Sequence, residues 1–163
     1  MKLSITSVLI YLLLSSKLFG QVYNITPGKS FDNVILGETT IKELKRKYKC
    51  NYVLKRTSFR MENQRIKRKV LKVKNLGVSF YLSKFEKKYR VETIEIKTPF
   101  ICIKLFDILQ CLGEEVNDEF SKLLKNLNYD KELKYYQSTD RKLVIEMESA
   151  RKIKYISINY KRE

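Results

Sequence analysis

The segment most informative about the fold is Leu36-Gly37-Glu38-Thr39-Thr40-Ile41-Lys42-Glu43-Leu44. Thr40 and Glu43 have the spacing of a capping box, in which the threonine hydroxyl accepts from the third helical N–H and the carboxylate accepts from the N-cap N–H. The apolar residues that follow share one face at helical spacing, and they are Ile41, Leu44 and Tyr48. The segment therefore predicts a short amphipathic helix that begins at Thr40 and ends near Cys50-Asn51.

A similar segment occurs in the second half of the chain. Phe31-Asp32 precedes the first Leu-Gly-Glu by a few residues, and Phe106-Asp107 precedes Leu112-Gly113-Glu114 in the same way. The two glycines are 76 residues apart, about half the length that follows residue 20. A second amphipathic helix is predicted after it, with Asn117 or Asp118 as its N-cap. The apolar stripe of this helix is formed by Val116, Phe120, Leu123, Leu124 and Leu127. This recurrence predicts an internal repeat.

Strand patterns follow both predicted helices. Between Tyr52 and Lys74 the pattern favours a strand with a bulge near Val70-Leu71, although a helix also fits Ile66, Val70 and Val73. Alternation elsewhere predicts strands over 78–82, 90–97, 129–136, 141–148 and 153–160. Residues 100–112 are almost entirely apolar and fit either a buried strand or a helical turn. We therefore predict an α+β fold of two tandem units, 21–98 and 99–163, each with a short helix and a small antiparallel sheet.

This order of helix and strands resembles the architecture of the β-lactamase-inhibitor-protein-like proteins. The same unit occurs singly in small outer-membrane lipoproteins of the barrel-assembly machinery. The resemblance is carried by residues 36–40 with Glu43-Leu44, and by Leu112-Gly113-Glu114 with Phe120. It implies a concave sheet surface that is presented to a protein partner.

Residues 1–20 have the layout of a secretory signal peptide. Lys2 is followed by the apolar run 5–14, and the segment closes at Lys17-Leu18-Phe19-Gly20. The run is shorter than the roughly 20 apolar residues that span a bilayer. We expect cleavage after Gly20 and an exported, periplasmic or secreted protein; an uncleaved anchor and a cytoplasmic protein are the alternatives. The leader, which ends Phe19-Gly20-Gln21, is also similar to those of exported proteins of Bacteroidetes-type bacteria.

Positive charge is concentrated in one region. Residues 42–74 hold 14 Lys and Arg against two Glu, so that +12 of the chain's net +16 falls within 33 residues. Such a region attracts anionic partners, although a simply solvated face is the plainer interpretation. The candidate binding residues are Lys45, Arg46, Tyr52, Lys55, Arg56, Arg60, Arg65, Lys67, Arg68 and Lys69. Nucleic acid is a poor candidate partner because the chain has no recognised nucleic-acid-binding motif.

The chain contains no histidine, which argues against an enzyme. Ser-His and Cys-His nucleophile pairs and most zinc sites are excluded, so we expect no catalytic residue, metal or cofactor. An enzyme that uses carboxylates, or a Tyr or Lys, is the remaining alternative. The acids Asp107, Glu114 and Glu115 suit turns and helix caps. Cys50, Cys102 and Cys111 fit three small buried side chains, and a disulfide between Cys102 and Cys111 is the alternative.

Composition and charge together favour a non-enzymatic binding module. The partner would be an acidic protein, and an inhibitor or an immunity-like protein belongs to this class. The alternative is an envelope-associated protein that binds anionic lipid or glycan.

Overall fold

The computed structural model describes residues 22–49, 51–61, 64–97, 101–149 and 151–160, without the side chains of residues 59–61 and 64. The predicted signal peptide therefore lies outside the described residues. Strands comprise 57% of the described residues and helices 12%. The strands are β1 (Val22–Thr26), β2 (Ser30–Phe31), β3 (Val34–Ile35), β4 (Tyr52–Met61), β5 (Gln64–Val73), β6 (Val78–Phe85), β7 (Lys88–Ile96), β8 (Cys102–Leu105), β9 (Ile108–Cys111), β10 (Asn128–Asp130), β11 (Tyr135–Gln137), β12 (Leu143–Ser149) and β13 (Lys152–Asn159). The helices are α1 (Ile41–Tyr48) and α2 (Asp118–Lys125).

The described strands form two sheets, and each sheet takes strands from both halves of the chain. The five-stranded sheet has the order β3-β2-β1-β8-β9, and the eight-stranded sheet has the order β10-β11-β12-β13-β7-β6-β5-β4. In the five-stranded sheet, the two halves of the chain meet at the parallel pair β1–β8. In the eight-stranded sheet, they meet at the antiparallel pair β7–β13. The predicted α+β fold of two tandem units, each with its own small sheet, is therefore wrong. Two separate sheets would leave β7 and β13 as open edges, whereas pairing them satisfies the backbone groups of both strands.

One apolar core lies between the two sheets and includes residues from both helices. The five-stranded sheet contributes Tyr23 and Phe31, whose rings stack with centroids 5.0 Å apart. Phe80 of the eight-stranded sheet meets the Phe31 ring edge-on at 6.4 Å and the Tyr48 ring at 5.5 Å. Leu44 of α1 and Phe120 of α2 are both fully buried in the same cluster. The helices therefore pack against the sheets through the apolar stripes that the sequence shows.

Gly37 allows the segment before α1 to pass close to the end of β13. Its φ is +78°, and a Cβ atom at this position would lie 2.8 Å from two ring atoms of Tyr160. The Gly37 N–H donates to the carbonyl of Val91 in β7. This left-handed conformation and close approach both require glycine, and together they hold the start of α1 on the eight-stranded sheet.

The capping box at α1 is present as predicted. Thr40 Oγ1 accepts from the Glu43 N–H at 3.4 Å, and Glu43 Oε2 accepts from the Thr40 N–H at 2.7 Å. The hydrogen bond from the Thr40 N–H is the largest of the causes that lower the pKa of Glu43. The helix ends at Tyr48, slightly before the predicted Cys50-Asn51.

Thr40→Ala is expected to lower the free energy of unfolding by about 1 kcal/mol, because it removes the acceptor for one helix N–H. Urea denaturation followed by circular dichroism measures this change. Lys42→Ala, on the exposed side of the same helix, is the matched control and should change stability by no more than about 0.5 kcal/mol. Equal effects from both variants would contradict a specific role for the cap.

The second helix and most strands lie where the sequence predicts them. Asn117 caps α2 by accepting from the Phe120 N–H at 2.8 Å. Residues 100–112, which the sequence left open, contain the hairpin of β8 and β9, and the predicted strand over 129–136 is the pair β10 and β11. Neither helix of the described residues has the length and apolar character that a membrane span requires.

The predicted bulge near Val70-Leu71 is wrong. Pairing of β4 with β5 runs without a register shift from Tyr52 opposite Val73 to Met61 opposite Gln64. Val70 and Leu71 are instead both buried, on opposite faces of the sheet, with Leu71 in the main core and Val70 outside it. A bulge would be needed only if one face of the sheet were covered, whereas both faces are covered at this point.

Candidate binding surface

The two strands of the basic region form one end of the eight-stranded sheet. Residues 52–61 and 64–73 are the strands β4 and β5, and β4 is the last strand in the order. Side chains alternate between the two faces of a strand, and so residues 65, 67 and 69 share a face with Leu71 and Val73. Arg56 pairs with Lys69, which in turn pairs with the buried Leu82. Arg56, Arg65, Lys67 and Lys69 therefore line the same face that carries the core further along the sheet.

These cations surround an open cavity of about 480 Å³. Its lining residues are Arg56, Thr57, Ser58, Arg65, Lys67, Arg68, Lys69 and Tyr89. Arg65 Nε donates to Ser58 Oγ at 3.0 Å, and the Lys69 Nζ lies 3.9 Å from the centroid of the Tyr89 ring. The cavity thus combines several cationic donors with the Ser58 hydroxyl and one aromatic ring.

The electrostatic balance of this cavity is strongly positive. Among the described residues, no carboxylate lies within 4.0 Å of a side-chain nitrogen of Arg56, Arg65, Lys67 or Lys69. Arg68 differs, because its Nη2 lies 2.7 Å from Glu92 Oε2. Four cations near one cavity without a neighbouring carboxylate repel one another, and an anionic ligand would relieve that repulsion.

Arg68 belongs to a polar cluster on the opposite face of the sheet. Glu92 also accepts a hydrogen bond from the buried Ser83 hydroxyl. Further along this face Glu95 accepts from the Tyr81 hydroxyl at 2.8 Å, and burial together with this carboxylate raises the pKa of Tyr81 to about 12. These ion-pair and hydrogen-bond contacts join side chains of neighbouring strands, so they stabilise the sheet.

Five of the ten predicted residues border this cavity, but the guanidinium of Arg68 lies on the opposite face with Glu92, and the four with side chains on the cavity face are Arg56, Arg65, Lys67 and Lys69. Lys45 and Arg46 are exposed on α1, and Arg46 lines a second cavity of about 370 Å³ with Glu38 and Glu43. The Tyr52 side chain is partly buried and packs against the core, whereas Lys55 is exposed on β4. The side chain of Arg60 lies outside the described residues.

Sequence reasoning missed three lining residues, namely Thr57, Ser58 and Tyr89. Ser58 lies opposite Lys67 in the β4–β5 ladder, so the strand register would have identified it. Tyr89 follows Lys87-Lys88 and pairs with Lys84 across the β6–β7 hairpin. Nothing in the lysine-rich sequence of this turn indicates that Tyr89 contacts the cavity, which is formed mainly by the β4–β5 hairpin.

Groups of His, Cys, Asp and Glu that could hold a metal ion are absent from the described residues. Cys102 and Cys111 form a disulfide across β8 and β9, and Cys50 lies outside the described residues. Asp107 forms an ion pair with Lys104 at 2.9 Å in the turn between these strands, and Glu115 faces Arg151 at 3.6 Å. Asp107 and Glu115, two of the acids that suit turns and caps, therefore have structural partners, and Glu114 is exposed.

No family model, curated protein or solved structure matches this chain. The resemblance to β-lactamase-inhibitor-protein-like and barrel-assembly proteins consequently stays a hypothesis.

Proposed function

We propose that this chain is an exported, non-enzymatic binding protein that recognises an acidic protein through the cavity formed by β4, β5 and Tyr89. The observation that carries the proposal is the cavity itself, where Arg56, Arg65, Lys67 and Lys69 have no carboxylate within ion-pair distance among the described residues. Uncompensated charge of one sign speeds the encounter with a partner of the opposite sign and selects against other partners.

The cavity also provides groups that fit a protein partner. Tyr89 offers an aromatic surface held beside the Lys69 ammonium group, and aromatic residues next to cations are common at the centres of interfaces. Ser58 adds a short hydroxyl group on the same face as Arg56, and this hydroxyl can donate to a carboxylate. Leu54, which is 37% exposed on β4 and lies on the same face as Arg56, extends the surface with apolar contact area.

Reversal of charge in the cavity tests this function. Arg65→Glu, Lys67→Glu and Lys69→Glu together are expected to weaken binding of an acidic partner by about 100-fold or more, because they place like charges against it. Partners would be captured from envelope extract with the mature chain, and the dissociation constant of each captured protein would then be measured by calorimetry at 150 mM salt.

The matched control carries the same change in net charge away from the cavity. Lys29→Glu, Lys122→Glu and Lys131→Glu alter three exposed residues that do not line it, and we expect less than a threefold loss. Equal binding by the wild type and the cavity variant would refute the proposal. Binding to anionic lipid vesicles or acidic glycan that disappears as salt rises would instead support an envelope-associated protein.

A further inference from the structure

The strand β4 is a long open edge beside the basic cavity. It has ten residues and spans about 33 Å at the usual rise of a strand. The other edges in the described sheets are shorter, since β10 has three residues, β3 has two and β9 has four. An open edge presents backbone N–H and C=O groups to which another extended chain can bind.

The hydrogen-bond register shows which residues of β4 point outward. The Lys74 N–H donates to the Asn51 carbonyl at 3.1 Å, which makes this the first hydrogen-bonded pair of the β4–β5 ladder. Such pairs alternate with pairs that are not hydrogen-bonded, and the register continues without a shift. The N–H and C=O groups of Leu54, Arg56 and Ser58 consequently point away from β5, and no backbone group elsewhere in the described chain binds them.

The outward-pointing residues carry their side chains on the cavity face. Arg56 and Ser58 both line the cavity, opposite Lys69 and Lys67. A strand added along β4 would place every second side chain on this face, in line with Arg56 and Ser58. Its alternate residues would therefore reach Lys67 and Lys69, which have no carboxylate within ion-pair distance in the part of the chain that the structure describes.

Charge also argues against a second copy of this chain as the occupant. Two β4 strands side by side would bring Lys55 and Arg56 of each copy close together, and like charges on an edge oppose pairing. An acidic segment would instead place negative charges beside Lys55 and Arg56, and opposite charges on neighbouring strands favour pairing. We infer that β4 binds an extended, acidic segment of a partner protein as a ninth strand, whose alternate Asp or Glu side chains enter the cavity.

This inference rests on the proposed function and can be tested with a synthetic peptide. The probe is a capped ten-residue peptide in which Glu alternates with Thr or Val, compared with the same peptide carrying Gln in place of Glu. We expect the Glu peptide to bind and the Gln peptide to bind at least about tenfold more weakly, because the Gln peptide lacks the charges that pair with the cavity. On binding, amide hydrogen exchange should slow at Leu54, Arg56 and Ser58.

Two N-methylated peptides separate strand addition from charge attraction. One peptide is methylated on the backbone nitrogens of three Glu residues, and the other on those of three Thr or Val residues. The backbone N–H groups of a strand point alternately to its two sides, so only one of these two sets can donate to the carbonyl groups of β4. Loss of three hydrogen bonds is expected to weaken one peptide by about 10- to 100-fold and leave the other within about threefold. Weakening of the Glu set indicates an antiparallel strand, and weakening of the other set a parallel one; both outcomes support the inference.

Failure of the inference and failure of the proposed function give different results. Equal binding by both methylated peptides, with the Gln peptide still weak, would overturn strand addition while leaving recognition of an acidic partner intact. Absence of binding by every peptide would also overturn strand addition. The proposed function itself fails only if the Arg65, Lys67 and Lys69 reversal leaves partner capture unchanged.

Discussion

Phe80→Ala is expected to lower the free energy of unfolding by about 3–5 kcal/mol. Phe80 is fully buried, and it is the ring that links the two sheets with α1, because it contacts Phe31 on one side and Tyr48 on the other. Removal of its ring leaves a cavity between layers that cannot close without moving a sheet. Since domains of this size are stable by only about 5–15 kcal/mol, the variant should unfold at a markedly lower urea concentration.

Phe80→Leu is the matched control for this substitution. It keeps an apolar side chain of similar reach and is expected to cost about 1–2 kcal/mol, since the aromatic contacts are lost but most of the volume is retained. Phe85→Ala is a second control, because Phe85 is only partly buried near the end of β6. If Phe80→Ala is no more destabilising than Phe85→Ala, the core is not organised around this ring.

Local elements were predictable because their signals are local. Each helix cap, at Thr40 and Glu43 and at Asn117, joins residues three positions apart. The alternation of Val78, Phe80 and Leu82 likewise shows, within one strand, which face is buried. Such patterns depend on backbone geometry that the nearest residues determine.

Sheet composition was not predictable in the same way. The pairs β1–β8 and β7–β13 join residues about 60 to 80 positions apart, such as Val22 with Cys102 and Ile158 with Ile94. Apolar alternation shows which face of a strand is buried but not which strand lies beside it. The two halves were therefore assigned separate sheets, and the error concerns strand neighbours, not strand positions.

The same distinction applies to the binding surface. Charge density alone indicated residues 42–74, but it could not separate Arg68, which pairs with Glu92 across the sheet, from Lys67 and Lys69 on the cavity face. Side chains alternate between the two faces of a regular strand, so once β5 is known to be regular, Lys67 and Lys69 fall on one face and Arg68 on the other. Tyr89 lies beyond such reasoning because it reaches the cavity through the β6–β7 hairpin.

Removal of the disulfide is the second change with a large expected effect. Cys102 and Cys111 are nine residues apart in sequence and close a short loop across β8 and β9. The entropy of closing a loop of about ten residues corresponds to about 2.5–3 kcal/mol, so Cys102→Ala with Cys111→Ala should lower the free energy of unfolding by about that amount. Urea denaturation of the oxidised wild type and of this double variant measures the difference.

Reduction of the wild type provides the internal control and bears on the compartment. Dithiothreitol should shift the unfolding midpoint of the wild type to nearly that of the double variant and leave the double variant unchanged. Cys50→Ala, which keeps the pair intact, should retain the shift. A hairpin that gains stability only when oxidised suits a protein that leaves the reducing cytoplasm, in accordance with the leader-like residues 1–20. A wild type whose stability is the same with and without dithiothreitol would contradict the stabilising role and remove this support for export.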